Sequence, residues 1–584
     1  MQIDRPTEGA KYNPKTGNYE LPLGYYGLYC YENELQQDFK MTDRLVLTDD
    51  KIYIYFDYNE EIVDYVRQLP QRSWNNKEKR WETEINLKNI EEILKMVYKY
   101  DFIVDKRIYK LKEELEKDIE KSKSIKSDIE VEGLNLKLMP FQKAGVEYAT
   151  RKKRTFIADE VGLGKTVQAI STIHELNSYP ILILCPSFLK LNWQKEYKKW
   201  LKEDKEIHII NGMDSYKLPK ADIYIINYYI ISSHVKELKK LNLEGLIADE
   251  SHALKSYNSQ RTKAVQKLIE HSNIPVRLLL SATPIKNRPK EYIPQLKILD
   301  RLDDLGGFWN FTGRYCDRKK THFGLDIDGR SNLVELNERL RETCFIRRKK
   351  EQVLDELPPV NRVEVNLEID NRSNYEQAEK DIINWLEKNE GMEKAIRARY
   401  AETMVQISKL RELSAKGKFD NAVKWIKEFL ETGEKLIVFG HHISITEKLS
   451  EEFNCLKITG NTTEEEKDKA VEDFQNTDKQ LIVISLQAGS EGITLTKASN
   501  VCFMEMGWGY TDIVQAEGRA YGRLNDIHGL NSYFLVGENT IDEQMLSIIN
   551  KKKEIVKQAT DGEGKNEGKS MLKGTLNYIK KKHT

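Results

Sequence analysis

Short apolar runs recur along this chain, separated by amphipathic, charged stretches. Between residues 134 and 300 the runs are "TFIA", "ILILC", "DIYII", "GLIA" and "VRLLL". Each is four or five residues long and bounded by turn residues or polar helical sequence. Such runs are strands buried on both faces, and their alternation with helical stretches predicts a parallel sheet wrapped by helices. A second series begins near Lys435: "KLIVF", "LKI", "LIVIS", "NVCFME" and "SYFLV". It predicts a second α/β lobe over 421–560. Residues 301–420 are rich in charged, helix-forming residues and poor in strand signals, so a mostly helical insert is expected there. No period typical of solenoids is present.

Upstream, residues 51–115 predict a small α+β unit. "KIYIYF" and "RWETEI" read as strands, "NEEIVDYVRQL" and "LKNIEEILKMVYKY" as helices. The stretch 116–133 is almost all charge and reads as a helical spacer or linker. A segment of residues 1–50 precedes the unit, and 561–584 form a basic tail. From Lys551 to Thr584 there are ten lysines and four acids. A chain of 584 residues exceeds one hydrophobic core, which fits two to four domains.

Composition adds little. Lys+Arg and Asp+Glu both total 93, so net charge does not vote on nucleic acid, although balance in total can conceal a basic groove. The six cysteines form no C-x-x-C pair, which fits reduced thiols and no zinc cluster. The N-terminal residues lack an apolar h-region and no run is long enough to span a membrane. The expectation is a protein without a secretion signal, in the cytosol of a bacterial or phage-host cell or in a nucleus.

Three stretches carry chemistry. In "IADEVGLGKTVQAI", Gly162 and Gly164 let the backbone curl so that its N–H groups face phosphate oxygens. Lys165 can reach the β- and γ-phosphates, Thr166 can hold Mg²⁺, and the following helix adds its positive end. A strict P-loop has glycine five residues before Gly164, where this chain has Asp159. "GLIADESHAL" ends an apolar strand in Asp249 and Glu250. The first is placed to bind Mg²⁺ and the second to polarise water. A solvated turn is the plain alternative for that pair alone. In "VQAEGRAYGRLND", Gln515, Arg519 and Arg523 are spaced four and eight apart, along one side of a helix. By itself this could be a solvated charged face.

Together these stretches resemble superfamily-two helicases, and within them the Swi/Snf family of DNA-translocating ATPases. "LMPFQKAGVEYA" looks like the adenine-side motif, with Gln142 reading the base, and "DEVGLGKT" is that family's P-loop form, which accounts for Asp159. "ILCPSFLKLNWQKE" resembles motif Ia, "DESHALK" a DEAH-like box with Ser251 where alanine is usual, and "LLLSATPIKNRPKE" motif III. "KLIVFGHH", "SLQAGSEGITLTKAS" and the Gln515–Arg523 stretch resemble motifs IV, V and VI. The resemblance, over about 134–560, implies two RecA-like lobes that use ATP and Mg²⁺. It puts Lys165, Asp249, Glu250, Gln515, Arg519 and Arg523 in catalysis. It puts Gln142, Asp159, Gly162, Gly164, Lys165, Thr166 and Gly492 on the nucleotide, and Thr166 and Asp249 on the metal. It also implies that Arg519 acts as an arginine finger. The family sets its second arginine three residues after the first, where this chain has Gly522; Arg523 comes one later.

Segments of the insert are similar to the annealing-helicase branch, and "FDYNEEIVDYVRQLPQRSWNNKEKRWETEI" resembles a HARP (HepA-related protein) domain, with Asn75-Asn76 as the hairpin turn. The resemblance implies a DNA-stimulated ATPase that moves on duplex DNA through backbone contacts, anneals strands or remodels forks, and works as a monomer. A strand-separating DNA or RNA helicase is an alternative, and an ATP-dependent clamp or loading factor is the non-enzymatic one. Trp193 reads as core or as a base-stacking residue. Arg347-Arg348-Lys349-Lys350 could touch phosphates or brace the lobes. His252, His441 and His442 lack ligand spacing, so no metal beyond Mg²⁺ is expected.

Overall fold

The computed structural model describes residues 11–13, 18–20 and 43–561, apart from residues 71, 286–287, 323, 354–359, 388–399, 490–492 and 522–528. Gly492, Arg523 and residues 562–584 of the basic tail lie outside the described residues.

Two all-parallel sheets carry the α/β lobes. The first has seven strands, in the order Ile207–Ile209, Ile223–Asn227, Ile181–Cys185, Gly245–Asp249, Val276–Leu280, Arg154–Ile157 and Phe345–Ile346. The five apolar runs of the first lobe are its inner strands, and most of their residues are fully buried because helices cover both faces. The parallel register sets Asp249 beside Leu280 and Leu280 beside Ile157. The loops that follow these three strands therefore leave one edge of the sheet side by side, where α/β folds place their ligands.

The second sheet has six strands: Val360–Leu367, Leu530–Gly537, Asn500–Phe503, Leu436–Gly440, Leu481–Ser485 and Leu456–Ile458. The 301–420 segment, expected to be a mostly helical insert, also supplies strands to both sheets. Phe345–Ile346 completes the first sheet and Val360–Leu367 the edge of the second. A third pair, Lys319–Thr321 with Gly324–Asp326, forms a small hairpin. A two-residue strand leaves no periodic signal, and the edge strand "VNRVEVNL" alternates apolar with polar and charged residues, unlike the central runs.

The N-terminal unit is a five-stranded sheet in the order Arg72–Asn75, Arg80–Glu84, Lys51–Tyr55, Arg44–Leu47 and Ile103–Val104, backed by helices Glu60–Val66 and Leu87–Tyr100. Ile52, Ile54, Ile62, Ile90, Ile93 and Phe102 form its core. It starts at Arg44, before the expected residue 51, and the helix Lys106–Lys123 runs through the expected boundary at 115. The hairpin turn also differs. It spans residues 76–79, and Asn75 closes it by accepting from the Lys77 and Glu78 N–H groups at 3.2 and 3.1 Å. Trp74 packs against Trp81, ring centroids 5.4 Å apart and planes tilted by 57°, and is 46% exposed, so it is not core.

Both flanking elements dock on the first lobe. Arg339 donates to the Ile85 carbonyl at 3.1 Å, and Asp118 pairs with Arg151 and Lys152 at 2.8 and 2.5 Å. The helix Ile541–Asp561 bridges the lobes. Ile541, Met545 and Ile549 lie in the core of the second, while Ile555 and Ala559 lie in the core of the first. No helix among the described residues is long and apolar enough to cross a membrane.

Candidate active site

The phosphate cradle sits between the strand Arg154–Ile157 and the helix Lys165–Glu175. Gly162 and Gly164 have φ of 89° and 73°, a conformation that L side chains rarely adopt. A Cβ on Gly164 would stand 2.5 Å from Gln142 Nε2, so a side chain there would displace Gln142 as well as strain the backbone. Gln142 itself is bound at both ends. Its Oε1 accepts from the Met139 N–H at 2.9 Å and its Nε2 donates to the Leu163 carbonyl at 3.4 Å. Lys165 Nζ donates to the carbonyls of Asp159 and Glu160 at 2.9 and 3.1 Å. Burial lowers its pKa, while Glu250, Asp159 and Asp249 pull the other way.

Asp159 enters the cradle through its carbonyl rather than its carboxylate. The carboxylate is fully buried and is held by Arg348 at 2.7 Å and by Gln168 Nε2 at 2.9 Å. Burial would raise its pKa, but Arg348, Gln168 and Lys165 together keep it lowered. Arg347 does parallel work. Its guanidinium donates to the carbonyls of Ala158 and Ala282 at 2.8 and 3.0 Å and pairs with Asp561 at 2.8 Å. The run of four basic residues therefore braces: Arg347 and Arg348 are buried behind the cradle, tying the P-loop to the segment after Leu280.

Asp249 ends the strand Gly245–Asp249 and Glu250 follows it, one strand removed from Arg154–Ile157 across Val276–Leu280. Asp249 Oδ1 accepts from the Glu250 N–H at 2.9 Å and Oδ2 from Trp193 Nε1 at 3.0 Å. Burial, then the adjacent Glu250 charge, hold the Asp249 carboxyl above the usual range. Glu250 has φ 49° and ψ 51°, which turns its side chain away from the strand direction. Burial would raise its pKa too, but His252, 3.1 Å away, with Lys165 and Arg519, keeps it lowered. His252 stands 3.4 Å from Ser281 Oγ, linking the acid pair to "SATP". Ser251 in the alanine position donates to Gln295 Oε1 at 3.0 Å, so its buried hydroxyl is satisfied.

The second lobe faces this edge with the helix Tyr510–Ala520. A Cβ on Gly518 would meet Val161 of the P-loop at 2.8 Å, so the helix rests directly on the loop. Gln515 and Arg519 are both buried, and the Arg519 charge acts on Glu250. The Arg519 carbonyl accepts from Leu495 N at 2.9 Å, and Arg362 grips Glu517 through two bonds of 2.8 and 2.7 Å. Lys350 crosses between the lobes: its Nζ donates to the Tyr521 carbonyl and its N–H to Glu160 Oε2, both at 2.8 Å. Buried arginines on this surface are not a solvated face.

The chain thus brings together Gln142, Lys165, Thr166, Asp249, Glu250, Gln515 and Arg519. The residues fit a Mg²⁺–nucleotide on two observations. Gly162 and Gly164 hold the loop in a positive-φ conformation that leaves its N–H groups free to curl round phosphate, and Lys165 has donors resting on carbonyls it can leave. Thr166 and Asp249 would hold the metal, which usually takes few protein ligands beside phosphate and water. Sequence reasoning gave no definite role to Trp193, Arg347, Arg348 or Lys350. The basic run was the available signal for three of them.

Residues 141–417 match the SNF2-related domain and residues 418–524 the helicase conserved C-terminal domain. The human DNA annealing helicase and endonuclease ZRANB3 (Homo sapiens) is 30% identical over 450 residues, 74% of this chain and 41% of that protein. The Xenopus tropicalis SWI/SNF-related matrix-associated actin-dependent regulator of chromatin subfamily A-like protein 1 is 28% identical over 527 residues, 86% of this chain and 54% of that protein. The chain therefore spans about half or less of the length of these curated relatives. Among solved structures, the Sulfolobus solfataricus SWI2/SNF2 ATPase core in complex with dsDNA is 21% identical. It covers 74% of this chain and 96% of that one, at a TM-score of 0.36.

Proposed function

Because the chain belongs to the SNF2-related family, we propose that it is a DNA-stimulated ATPase that couples ATP hydrolysis to movement along duplex DNA, with strand annealing or fork remodelling as its outcome. The observation that carries this reading is the seating of the Arg519 helix on the P-loop, Gly518 against Val161, with Arg519 acting on Glu250. Support for a DNA substrate comes from the ZRANB3 relative, a DNA annealing helicase.

The chain's residues divide the chemistry. Lys165 exchanges the Asp159 and Glu160 carbonyls for phosphate oxygens. Thr166 and Asp249 would hold Mg²⁺, which when bound would supply positive charge against the phosphates. Glu250, ionised at neutral pH, accepts a proton from the attacking water. Arg519 stabilises charge developing on the transferred phosphoryl group from across the cleft. Arg347, Arg348 and Lys350 hold the P-loop, the segment after Leu280 and the second lobe in one frame. Closing and reopening that frame would shift one lobe along the DNA backbone relative to the other.

The test is ATP turnover measured alone and with single-stranded DNA, duplex DNA, forked DNA and RNA. Duplex or forked DNA should stimulate most, and stimulation by RNA alone would overturn the substrate assignment. Glu250→Gln should keep nucleotide affinity and lose about 10²–10⁴-fold in turnover, the usual weight of a positioned general base.

A further inference from the structure

We infer that Trp193 is a positioning residue for the metal-binding carboxylate: its indole N–H fixes Asp249 in the orientation that receives Mg²⁺. This rests on the nucleotide reading above and goes beyond it, since the family resemblance placed Trp193 in a different motif from the acid pair.

Trp193 lies in the helix Lys190–Trp200, which follows the strand Ile181–Cys185, and is completely buried. Its ring packs beside Tyr197, centroids 6.3 Å apart, in the core under the first sheet. Packing accounts for the bicycle but not for where the nitrogen points. Nε1 donates to Asp249 Oδ2 at 3.0 Å, the single side-chain hydrogen bond to that carboxylate among the described residues. The backbone on the same residue is tied separately, by the Tyr228 hydroxyl on the Asp249 carbonyl at 2.6 Å.

The choice of donor matters. A lysine or arginine at that distance would cancel the carboxylate's charge. Indole is neutral and only a donor, so it restricts rotation and leaves the negative charge for a cation. Each oxygen has accepted one hydrogen bond, one from Glu250 N–H and one from Trp193, and each keeps a lone pair. Outer partners of this kind orient metal ligands, and their loss typically weakens metal binding about 10–100-fold.

The test is equilibrium binding of a fluorescent, non-hydrolysable ATP analogue to the full chain, titrated with Mg²⁺ and repeated in EDTA. Trp193→Phe should raise the Mg²⁺ midpoint about 10-fold or more. Its EDTA affinity should stay within about two-fold of the parent, because phosphate contacts to the P-loop backbone are unchanged. Tyr197→Phe is the packing control. Its buried hydroxyl has no hydrogen-bond partner, so this variant should keep the parent midpoint. If Trp193→Phe does not fold, benzothienylalanine placed at position 193 keeps the bicycle and removes only the N–H. The inference is overturned if a folded N–H-less variant keeps the parent midpoint, or if its affinity falls equally with and without Mg²⁺. A parent that shows no Mg²⁺-dependent binding would overturn the nucleotide reading instead.

Discussion

Arg519 and Arg348 are both buried arginines, but they serve opposite ends of the reaction. Arg519 comes from the second lobe, and its work is expected in the transition state. Arg519→Ala should leave nucleotide binding nearly intact and cut DNA-stimulated turnover by about 10³–10⁵, as for arginine fingers elsewhere. Arg519→Lys should not restore it, because an ammonium lacks the planar fork. Binding and single-turnover measurements on both variants check this. Arg348 works on the ground state, by neutralising Asp159. Arg348→Met would leave the buried Asp159 carboxylate with Gln168 but without its paired cation, and a loss of about 3–5 kcal/mol is expected in denaturant unfolding. The Asp159 pKa is lowered in the folded chain, so its pairing contributes fully above the unfolded carboxyl value of 3.8. That contribution is lost as pH falls through the lower folded value. In Arg348→Met burial acts on Asp159 without that cation and raises its pKa, so the parent's excess stability should be greatest at high pH and shrink as pH falls through the variant's raised value, before the parent's own contribution is lost in stronger acid. Lys165 and Glu250 were legible in the sequence because their neighbours in the chain define them. Arg348 was not, because its carboxylate partner lies 189 residues away.

At the scale of elements, central strands could be read from the sequence, whereas of the edges only "LKI", Leu456–Ile458, was read. "ILILC" and "LIVIS" are covered on both faces, and burial on both faces writes a continuous apolar run. Val360–Leu367 and Phe345–Ile346 lie at sheet edges, where half the side chains meet water or the strand is too short to show a period. The same limit moved the boundary of the N-terminal unit. The charge of Lys106–Lys123 suggested a linker, yet Asp118 and Ser122 on that helix are buried, the first by Arg151 and Lys152. Two truncations separate unit from motor. A chain beginning at residue 105 should retain duplex-stimulated turnover within a few-fold and lose fork remodelling. A chain beginning at 124 should melt at lower temperature, because it strips the partner of Arg151 and Lys152. Thermal melts with turnover assays decide between them, and a chain from 105 that remodels forks at the parent rate would remove the N-terminal unit from that task.

Across the whole molecule, the helix Ile541–Asp561 makes the two lobes dependent on each other. A chain stopped after Asn550 keeps the half that fills the second core and loses Ile555 and Ala559 from the first. It also loses Asp561, the partner of Arg347. Burying one isoleucine side chain is worth about 1.5–3 kcal/mol, so the first lobe should be measurably less stable. Its X-ray scattering radius should increase as the lobes part, and DNA-stimulated turnover should fall well below that of the parent. The bridging helix also has a consequence for the order in which the protein is made. Chains emerge from the ribosome N-terminus first, and domains usually fold as they emerge. Here the first lobe is translated by residue 348, yet its core and the Arg347 anchor wait for residues 555–561. The nucleotide site's frame therefore cannot close until more than two hundred further residues have been synthesised. During that interval the nascent first lobe carries an open apolar patch, shaped for a helix that does not yet exist, and is a natural client for a holding chaperone.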